Sequence, residues 1–253
     1  MPFFEYEGKN VFYQIIEKKA TKAIIFIHGS GESSYSWKEQ VEQMNLDYSV
    51  IAIDLPSHGK SSEFKKLSLD LYVDVIKNLI EFLSLREVIL AGHSLGGAIV
   101  QSYYLKHPEN VKALILCSTG AKLRVSKIIL DSTKKNFKEY LDSVPVGAFY
   151  RKTSKEVIEE FIEEVEKVSP KVVHADYSIC DKFDVMNKVK AIKVPCLIIV
   201  GKADRLTPLK YSQYFKENLE KAELVVIDKA SHMVMLEKPE EFNLALLEFI
   251  EKL

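Results

Sequence analysis

Glu87-Val88-Ile89-Leu90-Ala91-Gly92-His93-Ser94-Leu95-Gly96-Gly97 is the stretch in which a strand-type run gives way to a helical one. Glu87 to Ala91 read as a strand, and Ala98-Ile99-Val100-Gln101-Ser102-Tyr103-Tyr104-Leu105 after the stretch read as a helix. Between them lies G-x-S-x-G, Gly92 to Gly96. A serine on so sharp a turn has its hydroxyl exposed, and the flanking glycines are required because larger side chains would collide. The backbone N–H groups opening the following helix converge on the same point and can stabilise charge on a substrate oxygen. The segment therefore offers a nucleophile, Ser94, and one oxyanion donor, the Leu95 N–H.

Outward from this turn the chain alternates strands and helices. Pro2–Glu7 and Val11–Glu17 suggest a hairpin turning at Gly8-Lys9-Asn10. Apolar β-branched runs follow at 23–27, 48–53, 88–91, 111–117, 196–200 and 224–227. Runs of this kind suit strands buried on both faces of a parallel sheet. Helical periodicity fills 36–44, 69–83, 95–107 and 210–219, and a last helix at 239–253 opens with Pro239 and Glu240. The alternation predicts a doubly wound α/β sheet. One gap breaks it. Between Cys117 and Cys196 the chain shows polar helical stretches at 126–141 and 154–168, punctuated by Pro145-Val146-Gly147 and Ser169-Pro170. The expected organisation is a core of residues 1–121 and 176–253 with a helical insertion at 122–175, read as a cap over the ligand end of the sheet. A second structural subdomain apart from the site is the alternative.

The 253 residues, 47% hydrophobic, suit one domain, or one domain carrying a sizeable insertion. A net charge of −1 does not advertise nucleic acid or an anionic membrane as a partner. The first residues lack a basic stretch followed by an apolar run, and no run approaches the roughly 20 apolar residues of a membrane span. A cytoplasmic protein is the expectation. Cys117, Cys180 and Cys196 form no CxxC pair or Cys/His cluster, so no metal site is expected, and Cys117 and Cys196 lie in strand-like runs as buried thiols.

A serine hydroxyl needs a base to take its proton, and the base needs a group that orients it. Asp204 follows the run ending at Val200, and His232 follows the run ending at Ile227, so both fall at the carboxyl ends of strands. The chain order Ser94, Asp204, His232 is the order expected of a nucleophile elbow on such a sheet. Ile27-His28-Gly29-Ser30-Gly31 follows another strand, and its glycines let backbone N–H groups approach a ligand, so Ser30 and Leu95 are the candidate oxyanion pair. Asp181 and Asp184 compete for the acid role but follow no strand. His28 is read as orienting its loop, His58 as loop structure, and His93 as filling the elbow's variable position. His107 ends a helix and His174 takes no role. Met233 is read as a substrate contact. Trp37 is read as another, with a core position equally open.

On these residues the chain resembles the α/β-hydrolase superfamily over essentially its whole length. The resemblance rests on His28-Gly29-Ser30-Gly31, the 54–61 loop, Gly92 to Gly97, Gly201 to Asp204, and Ser231-His232. Within the superfamily it is similar to compact microbial carboxylesterases and serine perhydrolases with a helical cap. Asp176-Tyr177-Ser178-Ile179-Cys180-Asp181 resembles the segment returning the chain from cap to sheet in that group. The resemblance implies a mostly parallel sheet of about eight strands, an inserted helical cap, and hydrolysis of a small-molecule ester through an acyl-enzyme without metal or organic cofactor.

Haloalkane dehalogenases and epoxide hydrolases are similar but place Asp at the elbow. Plant-type hydroxynitrile lyases lack this glycine-containing oxyanion loop. A carbon–carbon bond hydrolase, an acyl-carrier-protein methyl esterase and a slow-turnover ligand receptor remain as alternatives. For a carrier protein, Lys122, Arg124, Lys127, Lys134, Lys135, Lys138, Arg151 and Lys152 offer a basic face, though charge runs more often only solvate a surface. Phe137, Tyr140, Leu141, Val144, Phe149, Tyr150 and Phe161 are the candidates for an apolar pocket or for cap packing.

Overall fold

Glu7 and Gly8 both carry positive φ, 49° and 73°, so the first hairpin closes on a two-residue turn. That turn leaves Tyr6 opposite Lys9, and the second strand begins there and not at Val11 as the sequence suggested. The computed structural model describes residues 2–17, 21–44 and 47–253. In chain order its elements are β1 (Phe3–Tyr6), β2 (Lys9–Ile16), β3 (Lys22–Ile27), α1 (Lys38–Gln43), β4 (Ser49–Ile53) and α2 (Leu69–Phe82). There follow β5 (Glu87–His93), α3 (Leu95–Lys106), β6 (Val111–Cys117), α4 (Lys127–Lys135), α5 (Phe137–Ala148), α6 (Lys155–Glu166) and α7 (Pro170–Lys182). The chain closes with β7 (Cys196–Gly201), α8 (Leu209–Asn218), β8 (Ala222–Ile227), α9 (Val234–Glu237) and α10 (Pro239–Ile250).

The strands make one eight-stranded sheet in the order β1-β2-β4-β3-β5-β6-β7-β8. The hairpin pairs antiparallel to β4, and every later pairing is parallel. This is the doubly wound, mostly parallel sheet that the strand–helix alternation predicted. Side chains alternate along β3 as the pleat requires. Ala23, Ile25 and Ile27 join the layer of Val73, Ile76, Ile99 and Phe215, from α2, α3 and α8. Ile24 and Phe26 join Val41, Phe242 and Leu246, from α1 and α10.

Four helices, α4 to α7, occupy the interval between β6 and β7. Three details there differ from the periodicity reading. The stretch 126–141 is two helices, because Asn136 ends α4 and caps α5 by accepting from the Glu139 N–H. Pro145 and Gly147 lie inside α5 and do not punctuate it. Pro170 opens α7, which then runs unbroken across the expected boundary at 175 to Lys182. Asp181 accepts from the Val125 N–H and Asp184 pairs with Lys122, so the two rival acids fasten the base of the insertion. Trp37 takes the core position: it is fully buried between Phe26 and Phe242, at centroid distances of 4.8 and 5.9 Å, and does not contact the cleft. Among the described residues no helix is long and apolar enough to cross a membrane.

The glycines separate two kinds of position. A Cβ on Gly96 would lie 2.1 Å from the Ile27 carbonyl oxygen, whereas one on Gly147 meets nothing within 4 Å. Gly96→Ala should therefore lower the thermal midpoint by several degrees, at about 2–4 °C per kcal/mol for a chain of this size. Gly147→Ala should hold or raise it, since alanine is the better helix former. Equal midpoints in a calorimetric scan would contradict this packing.

Candidate active site

β5 ends at His93 and α3 starts at Leu95, so Ser94 alone makes the turn, at φ 51° and ψ −111°. Its N–H donates to the Cys117 carbonyl at 3.0 Å, and the Thr119 hydroxyl donates to its carbonyl at 2.8 Å. Asp204 leaves the end of β7 and is buried. Its Oδ1 accepts the N–H groups of Leu206 and Thr207, both at 2.9 Å. Its Oδ2 accepts the Thr207 hydroxyl at 2.8 Å and Nδ1 of His232 at 2.9 Å. Burial opposes charge on Asp204, but His232 and the Thr207 donors outweigh it and hold the carboxyl below its ordinary value. Burial likewise opposes a charged His232, and the Asp204 carboxylate overrides it and raises the imidazole. With Nδ1–H given to Asp204, Nε2 is left as the basic nitrogen.

The backbone of His232 is gripped from both sides. Its N–H donates to the Ala148 carbonyl of α5 at 3.0 Å, and its carbonyl accepts Nε2–H of His93 at 3.0 Å. The other nitrogen of His93 donates to Glu32, 3.0 Å from Oε1. Glu32 Oε2 also accepts the Gly29 N–H at 3.1 Å. Burial alone would raise Glu32, yet the His93 charge and hydrogen bond bring it down to about 2. One buried carboxylate thus joins the loop after β3, the elbow and the His232 loop.

A second network holds the same β3 loop from the insertion. Asp176 of α7 is wholly buried and accepts the Gly31 N–H at 2.9 Å, Nε2–H of His58 at 2.8 Å and the Tyr72 hydroxyl at 2.7 Å. His58 also donates from Nδ1 to the Pro56 carbonyl. Burial works against a charged His58, but Asp176 raises it. His28 is the opposite case. Burial and the neighbouring His58 push it down to about 4, and as a neutral ring it donates to the Gly29 carbonyl and accepts from the Leu55 N–H. With Gly29 and Gly31 committed, the Ser30 N–H between them has no protein acceptor among the described residues. The same holds for the Leu95 N–H at the first turn of α3.

Ser30, Ser94 and His232 open on one cleft, which encloses about 840 Å³ with the solvent at its mouth included. Its walls are mostly apolar and come largely from the insertion: Tyr140, Val144, Phe161 and Tyr177 line it, together with Met233 beside His232. The insertion does not stand apart from the site. Of the other candidates, Phe149 packs on Phe161 at 5.4 Å and Phe137 stacks on Tyr140 at 5.5 Å, both behind the wall. Among the described residues no group of three or more His, Cys, Asp or Glu side chains is placed to share a metal ion.

The model of the alpha/beta hydrolase family matches residues 24–245. The chain belongs to the alpha/beta hydrolase family. It is similar to a solved thermophilic esterase at 37% identity, with a TM-score of 0.90 over 99% of this chain and 97% of that one. A pimeloyl-[acyl-carrier protein] methyl ester esterase of Pseudoalteromonas atlantica is 28% identical over 243 residues, 88% of this chain and 92% of that protein. The enol-lactonase of Burkholderia xenovorans LB400 shares the fold, at 19% identity and a TM-score of 0.91 over 99% of this chain and 100% of that one.

Sequence reasoning passed over three residues of this alpha/beta hydrolase site: Glu32, His93 as a donor, and Asp176. Asp176 did leave a signal, since it shares the buried stripe Val172, Val173, Cys180 of α7, where a carboxylate needs a partner. Glu32 gives the sharpest test of these networks. Glu32→Gln removes the charge and one of two acceptor oxygens from a buried pair, a loss of about 3 kcal/mol or more. The thermal midpoint should fall by roughly 6–12 °C. An unchanged midpoint would show that the pair does not hold these loops together.

Proposed function

We propose that this protein cleaves small to medium carboxylic esters through an acyl-enzyme formed on Ser94, with His232 as general base and Asp204 fixing its tautomer. The observation that carries this reading is the 2.9 Å bond from His232 Nδ1 to Asp204 in a cleft that Ser94 also lines. Ser94 Oγ attacks the ester carbonyl as its proton passes to His232 Nε2. The carbonyl oxygen becomes an oxyanion and accepts the Ser30 and Leu95 N–H groups, an interaction worth about 2.7–4 kcal/mol per donor in comparable sites. His232 then protonates the departing alcohol. Water gives a proton to the same nitrogen as it attacks the acyl carbon, and His232 returns that proton to Ser94 Oγ as the acyl–oxygen bond breaks and the acid leaves.

The chain is a carboxylic ester hydrolase. The finer points, which residues act and on what, rest on the geometry above and on the mostly apolar wall. We read the helical insertion as the cap that shapes the cleft, and Met233 as a wall residue there. A carrier-protein methyl ester is the second reading. The Pseudoalteromonas relative bears that activity in its name, Arg124 lies exposed on the cleft wall, and Lys127, Lys134 and Lys138 of the same insertion are exposed too.

A chain-length series of p-nitrophenyl esters run beside an acyl-carrier-protein methyl ester separates the two readings. The small-ester reading requires an optimum at short or medium acyl length and turnover above about one per second. Activity confined to the carrier-protein substrate contradicts it. Ser94→Ala should cut turnover by about 10⁴-fold or more with the thermal midpoint nearly unchanged. Full activity in that variant would end the Ser94 assignment.

The pH profile tests His232 separately. Because Asp204 raises the imidazole above its ordinary value of about 6.5, the protonated and inactive form persists to higher pH. In wild type, kcat/KM should therefore rise with pH through a midpoint above about 6.5. In Asp204→Asn the midpoint should move down as the rate falls. A wild-type midpoint well below that value contradicts the assignment.

A further inference from the structure

Among the polar groups on the mostly apolar cleft wall are two phenols, Tyr140 of α5 and Tyr177 of α7. Their hydroxyl oxygens lie 3.1 Å apart and their rings meet edge to face at 5.7 Å. Tyr140 is buried, with the Phe137 ring stacked on it, so its position is set by packing. Two phenols bring two protons. One lies between the two oxygens; the other O–H has no acceptor among the described residues. An O–H that lines the cleft with no protein acceptor is a donor open to a ligand oxygen.

The charge around the pair narrows the kind of oxygen. Glu32 and Asp176 face it from the β3 loop and α7, and, after burial, both act to raise Tyr140. Burial, Tyr140, Cys180 and Glu32 together place Tyr177 well above its ordinary range. The phenols therefore stay neutral donors. Those two carboxylates are already paired, with His93 and His58, and among the described lining residues the one permanent cation, Arg124, is exposed to solvent and gives a buried anionic group no partner.

We propose that the Tyr140–Tyr177 hydroxyl pair is a donor subsite recognising a second, uncharged oxygen on the substrate. Preferred substrates are then esters bearing a ketone, amide or ether oxygen, ahead of plain alkyl esters of the same length. The proposal rests on the ester-hydrolase reading of the cleft and adds a substrate class to it. A free hydroxyl donor selects strongly for substrates that carry its acceptor, because an analogue without one leaves the donor unpaired.

Matched substrates test it. Wild-type kcat/KM is measured for methyl heptanoate against its 5-oxo and 6-oxo forms, and for hexyl acetate against 4-oxohexyl and 5-oxohexyl acetate. At least one oxo ester should exceed its parent by about three- to tenfold. The ratio should collapse to about one in Tyr140→Phe/Tyr177→Phe, with Tyr177→Phe alone as the second variant should the double one fail to fold. Ester turnover with no oxo preference, or a preference that survives loss of both hydroxyls, overturns the subsite and leaves the hydrolase reading standing; in that case the pair only ties α5 to α7. Turnover of none of these esters removes the subsite together with the small-ester reading.

Discussion

At Ser94 the backbone sits at φ 51° and ψ −111°, a conformation that costs a residue with a side chain about 1–3 kcal/mol and persists only where its surroundings impose it. The surroundings here are backbone. Gly92 and Gly96 have no room for a Cβ: one on Gly92 would lie 2.2 Å from the Gly96 carbonyl oxygen, and one on Gly96 would strike Ile27 of β3. The start of α3 is thereby pressed against the end of β3, and the loop that follows β3 is delivered beside the turn. The elbow, the loop after β3 and the space between them are consequences of one close approach of three backbone segments.

Two buried carboxylates then lock what that approach brings together. Glu32 spans the β3 loop and His93, and His93 reaches the carbonyl of His232. Asp176 spans Gly31, His58 and Tyr72. Ion pairs taken out of water gain little net stability over well-packed apolar groups, but breaking one is expensive. Their effect is therefore on geometry: each loop has one arrangement in which every buried charge is satisfied. Asp176 belongs to the helical insertion, so the element that walls the cleft also holds an amide next to Ser30. The cleft wall and the loop after β3 share one side chain.

Much of this was legible in the chain. The strands declare themselves as short apolar runs, and Ser94, Asp204 and His232 each follow one, so chain order and strand ends carry the reading without any knowledge of side-chain contacts. The hairpin turn was placed too late because two positive-φ residues suffice where three were assumed. Pro145 misled because proline usually ends a helix, and here α5 continues three residues beyond it. Trp37 could not be sorted by spacing, since a residue just after the oxyanion loop serves site or core equally well. The carboxylate networks were invisible for a plainer reason: Glu32 and His93 are 61 residues apart, His58 and Asp176 118, and Gly31 and Asp176 145. No local pattern records such pairs.

The central claim is that Ser94 is the one hydroxyl activated in this cleft. Mass spectrometry after treatment with a slight excess of a fluorophosphonate measures that directly, because the reagent phosphonylates an activated serine and spares ordinary ones. The account predicts a single adduct per chain, mapped to the peptide containing Ser94, and its loss when His232 is replaced by alanine. An unmodified protein, or an adduct on another residue, would contradict it.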